Sequence, residues 1–221
     1  MATGTINRFW GTVVLAIASV SALNGDGGEA PLRIRALVFN YSGVPDRILA
    51  PAKGRAAKVF RLAGVEIDWA DCRTSQQSAN IRTGCMDPSS SPIFLLRLVP
   101  SSRAKRLNVP STAGGIAYID PGRHGVVAFV FPDRVEQIST HQNLPQELIM
   151  GHLIAHELGH LLLGDRSHSL VGLMFCPWGQ REFDSMPLGM LNFTSAEAER
   201  VREQVRSLGQ GEPAVVAEGR F

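Results

Sequence analysis

The stretch from Pro145 to Leu163 constrains this chain more than any other, because an almost wholly apolar segment carries His156, Glu157 and His160 in its second half. Pro145 at its start, Glu147 in its first turn and Gly164 just past its end are helix boundary signals, so the segment reads as one long helix. Side chains four apart on a helix are rotated by only about 40° and displaced by roughly 6 Å, so His156 and His160 present both imidazoles to one point. Glu157 lies about 100° round from His156, near enough to face a water at that point without being needed as a ligand. H-E-x-x-H on a helix is a zinc-binding arrangement.

A catalytic zinc takes three protein ligands and keeps one position for water. His168 is the expected third ligand, since neutral imidazole suits zinc and the chain can fold back after Gly164. Asp165 is the alternative, because a carboxylate is also a competent ligand; otherwise it binds the backbone of its own turn. His152, one turn before His156, is expected to be structural, since a fourth ligand there would close the open position. Trp178 and Phe183 are expected in the core or the pocket wall.

The rest of the chain supplies a frame for that helix. Leu32 to Phe39 alternates apolar residues with Arg33 and Arg35, as a half-buried strand does. Pro51 sits where a helix can begin, with Ala52, Ala56, Val59, Phe60 and Ala63 on one face and Gly64 as its cap. Val65 to Trp69 and Pro92 to Val99 read as strands, and Gly114 to Ile119 and Val126 to Phe131 flank the turn-forming Asp120-Pro121-Gly122 as neighbouring strands of one sheet, the second stopped by Pro132. Thr194 and Glu197 form a capping box ahead of a helix through Leu208, closed by Gly209. This order predicts one α+β or mixed α/β domain over residues 23 to 208, with a flexible tail from 209 to 221.

The first residues read differently. Arg8 precedes an apolar run from Phe9 to Val20, and Val20-Ser21-Ala22 has the small-residue form of a cleavage site, so residues 1 to 22 are expected to be an export signal. The alternative is an uncleaved anchor, but the run is shorter than the roughly 20 residues that cross a bilayer. A secreted or periplasmic protein with no stable membrane association after cleavage is the expectation. Export favours pairing of thiols. Cys72 and Cys85 are the expected pair; Cys176 is left over as a buried thiol, a redox-reactive one or a metal ligand, the first being preferred. The net charge of +2, with basic residues scattered among acids, gives no footprint for nucleic acid.

The run His156-Glu157-Leu158-Gly159-His160-Leu161-Leu162-Leu163-Gly164-Asp165-Arg166-Ser167-His168, followed by Gly172-Leu173-Met174, resembles the metzincin group of zinc peptidases, whose pattern is H-E-x-x-H-x-x-G-x-x-H with a later Met-turn. The likeness covers residues 152 to 178 and departs in spacing, with three residues between His160 and Gly164 and three more before His168. It is similar to compact, divergent bacterial members of that group. The resemblance implies His156, His160 and His168 as ligands of one zinc ion, Glu157 as general base and acid, and Met174 beneath the metal. It implies a zincin-like fold: a twisted, mostly parallel sheet with an antiparallel edge strand, packed on the active-site helix, plus a C-terminal helix. An edge strand above the metal would pair with an extended substrate, and Val126 to Phe131 is the candidate, with an ordinary interior strand as the alternative.

The function expected from these residues is metallopeptidase hydrolysis of a peptide or protein substrate. Two alternatives stand beside it: a secreted zinc-binding module without catalysis, and a zinc amidohydrolase acting on a non-protein or cell-wall peptide substrate.

Overall fold

Two strands with consecutive buried residues mark the middle of a sheet, because a parallel strand covered on both faces reads as a continuous apolar run. The computed structural model, which describes Met1 and residues 31–72, 85, 89–107, 109–119, 127–164 and 167–210, has two such strands. They are β1 (Leu32–Asn40), with Ala36, Leu37 and Val38 buried, and β3 (Ile93–Leu98), with Phe94, Leu95 and Leu96 buried. Parallel to β1 on its other side runs β2 (Val65–Cys72), and beyond β3 come β4 (Gly115–Tyr118) and β5 (Val127–Val130). The order across the sheet is β2-β1-β3-β5-β4, parallel throughout except for β4, which runs antiparallel to β5 at the edge.

Alternation along the strands divides the core. Ile34, Val38, Phe94, Leu96, Leu98, Ala128 and Val130 share one large cluster with the helices. Leu37 and Leu95 face the other way, into a smaller cluster with Cys72, where partly buried Phe39, Ile93 and Cys85 also pack. Cys72 and Cys85 form the expected disulfide, with Cα atoms 5.7 Å apart.

Five α-helices are described: α1 (Asp46–Leu62), α2 (Pro132–Gln142), α3 (Gln146–Leu163), α4 (Gln180–Ser185) and α5 (Ser195–Gly209), besides a 3-10 segment at Ser101–Leu107. α3 is the expected long helix, and every residue from Leu148 to Leu162 in it is buried. It packs against α1, α5 and the β3, β4 and β5 strands, so it lies at the centre of the described fold. α5 has the expected capping box, Thr194 N donating to Glu197 Oε2 at 2.7 Å, and runs one residue further than expected, to Gly209. Its arginines close two other helices: Arg200 donates to Leu163 O at 3.0 Å and Arg202 to Ala63 O at 2.9 Å.

One expectation needs correction, one is settled for its alternative and one is extended. α1 does not begin at Pro51 but five residues earlier, where the Pro45 carbonyl accepts from Ile48 N and Leu49 N. An interior proline removes one helical hydrogen bond and costs about 3 kcal/mol; burial of Leu49, Ala52, Ala56, Val59 and Phe60 along one face offsets it. Residues 127–130 form an interior strand, and the edge belongs to β4. Pro132 does stop β5, but it also opens α2, standing at its first position with its missing N–H costing nothing there.

Residues 1–22, apart from Met1, and the tail from 211 onward lie outside the described residues. Among the described residues no helix is long and apolar enough to cross a membrane.

Candidate metal centre

The last two turns of α3 carry His156, Glu157 and His160, which are 5%, 4% and 8% exposed, so each is held by its surroundings rather than by water. Gly164 ends the helix with φ of +94°, a left-handed conformation that an L side chain rarely adopts. The chain then returns over the helix end, where buried Ser167 and exposed His168 follow. The result is a three-histidine group: one ring nitrogen from each of His156, His160 and His168 lies within 4.8 Å of the others, and the group could hold a metal ion. Asp165, the alternative third ligand, lies outside the described residues.

Hydrogen bonds set which nitrogens carry the lone pairs. His156 Nδ1 is 2.8 Å from the carbonyl of Leu173, which only accepts, so Nδ1 carries the proton and Nε2 a lone pair. His160 Nδ1 is 2.8 Å from Ser167 Oγ; with that nitrogen donating, its Nε2 is also a lone pair. The two Nε2 atoms are 3.0 Å apart. Two lone pairs facing each other repel unless a proton or a cation lies between. Nitrogens bound tetrahedrally to one zinc at about 2.0–2.1 Å are about 3.3 Å apart, so the observed pair fits a shared ion.

Burial dominates the electrostatics of His156 and Glu157. Burial pulls His156 down to about 3, helped by neighbouring His160 and opposed by the Leu173 hydrogen bond, and the net effect keeps its imidazole neutral. Burial alone pushes the Glu157 carboxyl up to about 8. A cation at the histidines would favour the ionised form again. His152 is not part of the group: its Nδ1 is 2.8 Å from Leu148 O in its own helix, and burial takes it down to about 4.

The turn after His168 supports the group from below. Leu173 O accepts from Trp178 Nε1 at 3.1 Å as well as from His156, and Leu173 N donates to Asn192 O at 2.9 Å, tying the turn to the chain ahead of α5. Met174 is fully buried, and its sulfur would lie 2.9 Å from any Cβ added at Gly159. The expected Met-turn residue thus packs directly on the ligand helix, one residue before His160.

The group opens into a cleft of about 900 Å³ between β4, α2, α3 and the segment 175–178. Gly115 in β4 brings that strand against Glu157; a Cβ there would lie 2.7 Å from Glu157 Oε1. Trp178 and Phe183 are cleft wall, Trp178 standing edge-on to His156 with ring centroids 5.5 Å apart. Cys176 also lines the cleft as an exposed free thiol, against the preference for a buried one, because the chain runs along the cleft surface there. It is not among the three clustered ligands.

Sequence reasoning missed Ser167, the Leu173 carbonyl, Gly115 and α2. A backbone carbonyl leaves no trace in residue type. α2 did leave one, in Pro132-Asp133 at its start and Asn143, in a left-handed conformation, at its end. Comparisons with protein-family models and with curated proteins find no match to this chain.

Proposed function

We propose that this chain is an exported, zinc-dependent peptidase of zincin type. The convergence of the His156 and His160 Nε2 lone pairs, with His168 beside them and Glu157 on the adjoining helix position, is the observation that carries the reading. Three imidazoles are a donor set suited to zinc, and three protein ligands leave a position for water. Zinc bound there would supply a Lewis acid and lower the pKa of that water.

The chain's own residues do the rest. The Leu173 carbonyl and Ser167 hold the imidazoles in the ligating tautomer. Glu157 takes the proton of the attacking water on its carboxylate and returns it to the leaving amine. β4 positions the substrate. Phe131 N donates to Gly114 O at 2.9 Å, so, by the alternation of an antiparallel ladder, Gly115 and Ala117 turn their N–H and C=O groups away from β5. Among the described residues no strand pairs with that outer edge, and an extended peptide can add to it. Residues 1 to 22 would direct export.

The test is peptide hydrolysis by wild type and Glu157→Gln, each assayed for zinc. The variant is expected to keep its zinc and lose about 10²- to 10⁴-fold in turnover. Wild-type turnover in Glu157→Gln would overturn the assignment.

A further inference from the structure

α1 turns a cationic side to solvent. Arg47, Lys58, Arg61 and Leu62, all exposed, fall within about a third of the helix's circumference, opposite buried Leu49, Ala56 and Phe60. After Asp46 the helix carries no acid. Lys53 on the flank pairs with Asp71 at 2.8 Å, but Arg47, Lys58 and Arg61 make no salt bridge among the described residues.

The loop after α4 adds apolar groups to that side. A Cβ on Gly189 would lie 3.8 Å from Lys58 Nζ, so the loop stands beside the C-terminal end of α1. Leu188 and Met190, on either side of Gly189, are 71% and 69% exposed, and Leu62, one turn beyond Lys58, is 61% exposed. The loop backbone is fixed by its own hydrogen bonds: Gly189 N donates to Met186 O and Met190 N to Ser185 O, each at 3.0 Å, with Gly189 at a φ of +70°. Asn192 Nδ2 donates to Gly189 O at 2.8 Å, and the Asn192 carbonyl accepts from Leu173 N at 2.9 Å. That second bond ties the loop to the turn that carries Leu170, which is 91% exposed. Backbone bonding therefore holds several large apolar side chains out in water, beside cations that have no partner.

We infer that this surface rests on anionic lipid, with Leu62, Leu188 and Met190 entering the headgroup layer and Arg47, Lys58 and Arg61 meeting phosphates around them. Charge complementarity selects the partner, since unpaired cations on one face are matched by a surface of fixed negative charge. Single apolar side chains standing out from a loop tip and a helix end fit a layer that closes round each of them, whereas a folded protein partner must match their shape. The contact is peripheral and weakened by salt: among the described residues no helix is long and apolar enough to cross a membrane, and exposed charges are screened. None of these residues lines the cleft, so the inference stands apart from the peptidase reading.

The experiment sediments the mature chain with vesicles of phosphatidylcholine alone and of phosphatidylcholine with an equal share of phosphatidylglycerol. Wild type is compared with the double variants Leu188→Ser with Met190→Ser and Lys58→Glu with Arg61→Glu. Far-UV circular dichroism checks folding, and size-exclusion chromatography checks self-association. Wild type is expected to bind the anionic vesicles about tenfold or more tightly than the neutral ones, and to be released as salt rises. Each double variant is expected to lose about tenfold or more on anionic vesicles, the first through lost apolar contact and the second through lost charge. No sedimentation with anionic vesicles, or equal affinity for both kinds, would overturn the inference. So would a loss confined to the charge variant, which would mean adsorption of cations alone, or a dimer abolished by the apolar variant, which would assign the surface to a second copy of the chain.

Discussion

The two helices that wall the cleft, α3 and α2, were written in different ways. α3 is buried on all sides from Leu148 to Leu162, and its polar residues there are the site: His156, Glu157 and His160, with His152 bonded back into the helix. α2 buries only Pro132 and Val135, and its cleft face is mostly polar. An ion demands side chains at fixed spacing, and spacing along one helix is a local property. A substrate wall needs only a surface at the right distance, and that distance comes from how β4, α2 and α3 pack. The end of the cleft that could hold an ion therefore shows in the residue pattern, while the wall set by packing does not.

Two substitutions probe the ends of the cleft separately. Gly115→Val on the β4 side has the larger expected effect, since any Cβ there would stand 2.7 Å from Glu157 Oε1 and 2.8 Å from Phe129 O. Turnover should fall about 100-fold with zinc retained, because misplacing a catalytic group by an ångström costs about that much. Undiminished hydrolysis would mean that β4 does not lie beside the reacting carbonyl. Ser167→Ala on the metal side removes the acceptor of His160 Nδ1, and equilibrium dialysis should show zinc affinity weakened about tenfold. Unchanged affinity would leave the orientation of His160 to the packing of α3 alone.

Much of the framework was legible. The Cys72 to Cys85 pairing, the capping box at Thr194 and the boundaries of α3 follow from spacing and cap chemistry, which act within a few residues. Pro51 misled because proline marks a helix start by local rules, whereas here the burial of Leu49 and Ala52 on either side holds it inside α1. The edge position of β4 could not be read at all. Both β4 and β5 are short apolar strands, and which one borders solvent depends on β3 pairing with β5, a contact between residues distant in the chain. His168 was reachable from the pattern of residues after Gly164, but its approach to His160, with ring centroids 4.7 Å apart, depends on the fold of the returning chain.

The most direct test of the three-histidine centre is elemental analysis of the purified mature chain after zinc reconstitution, with His168→Ala measured beside it. Wild type should carry one zinc per chain, and His168→Ala should lose it on dialysis. A wild-type chain that holds no metal, or a variant that keeps it as tightly, would contradict the account.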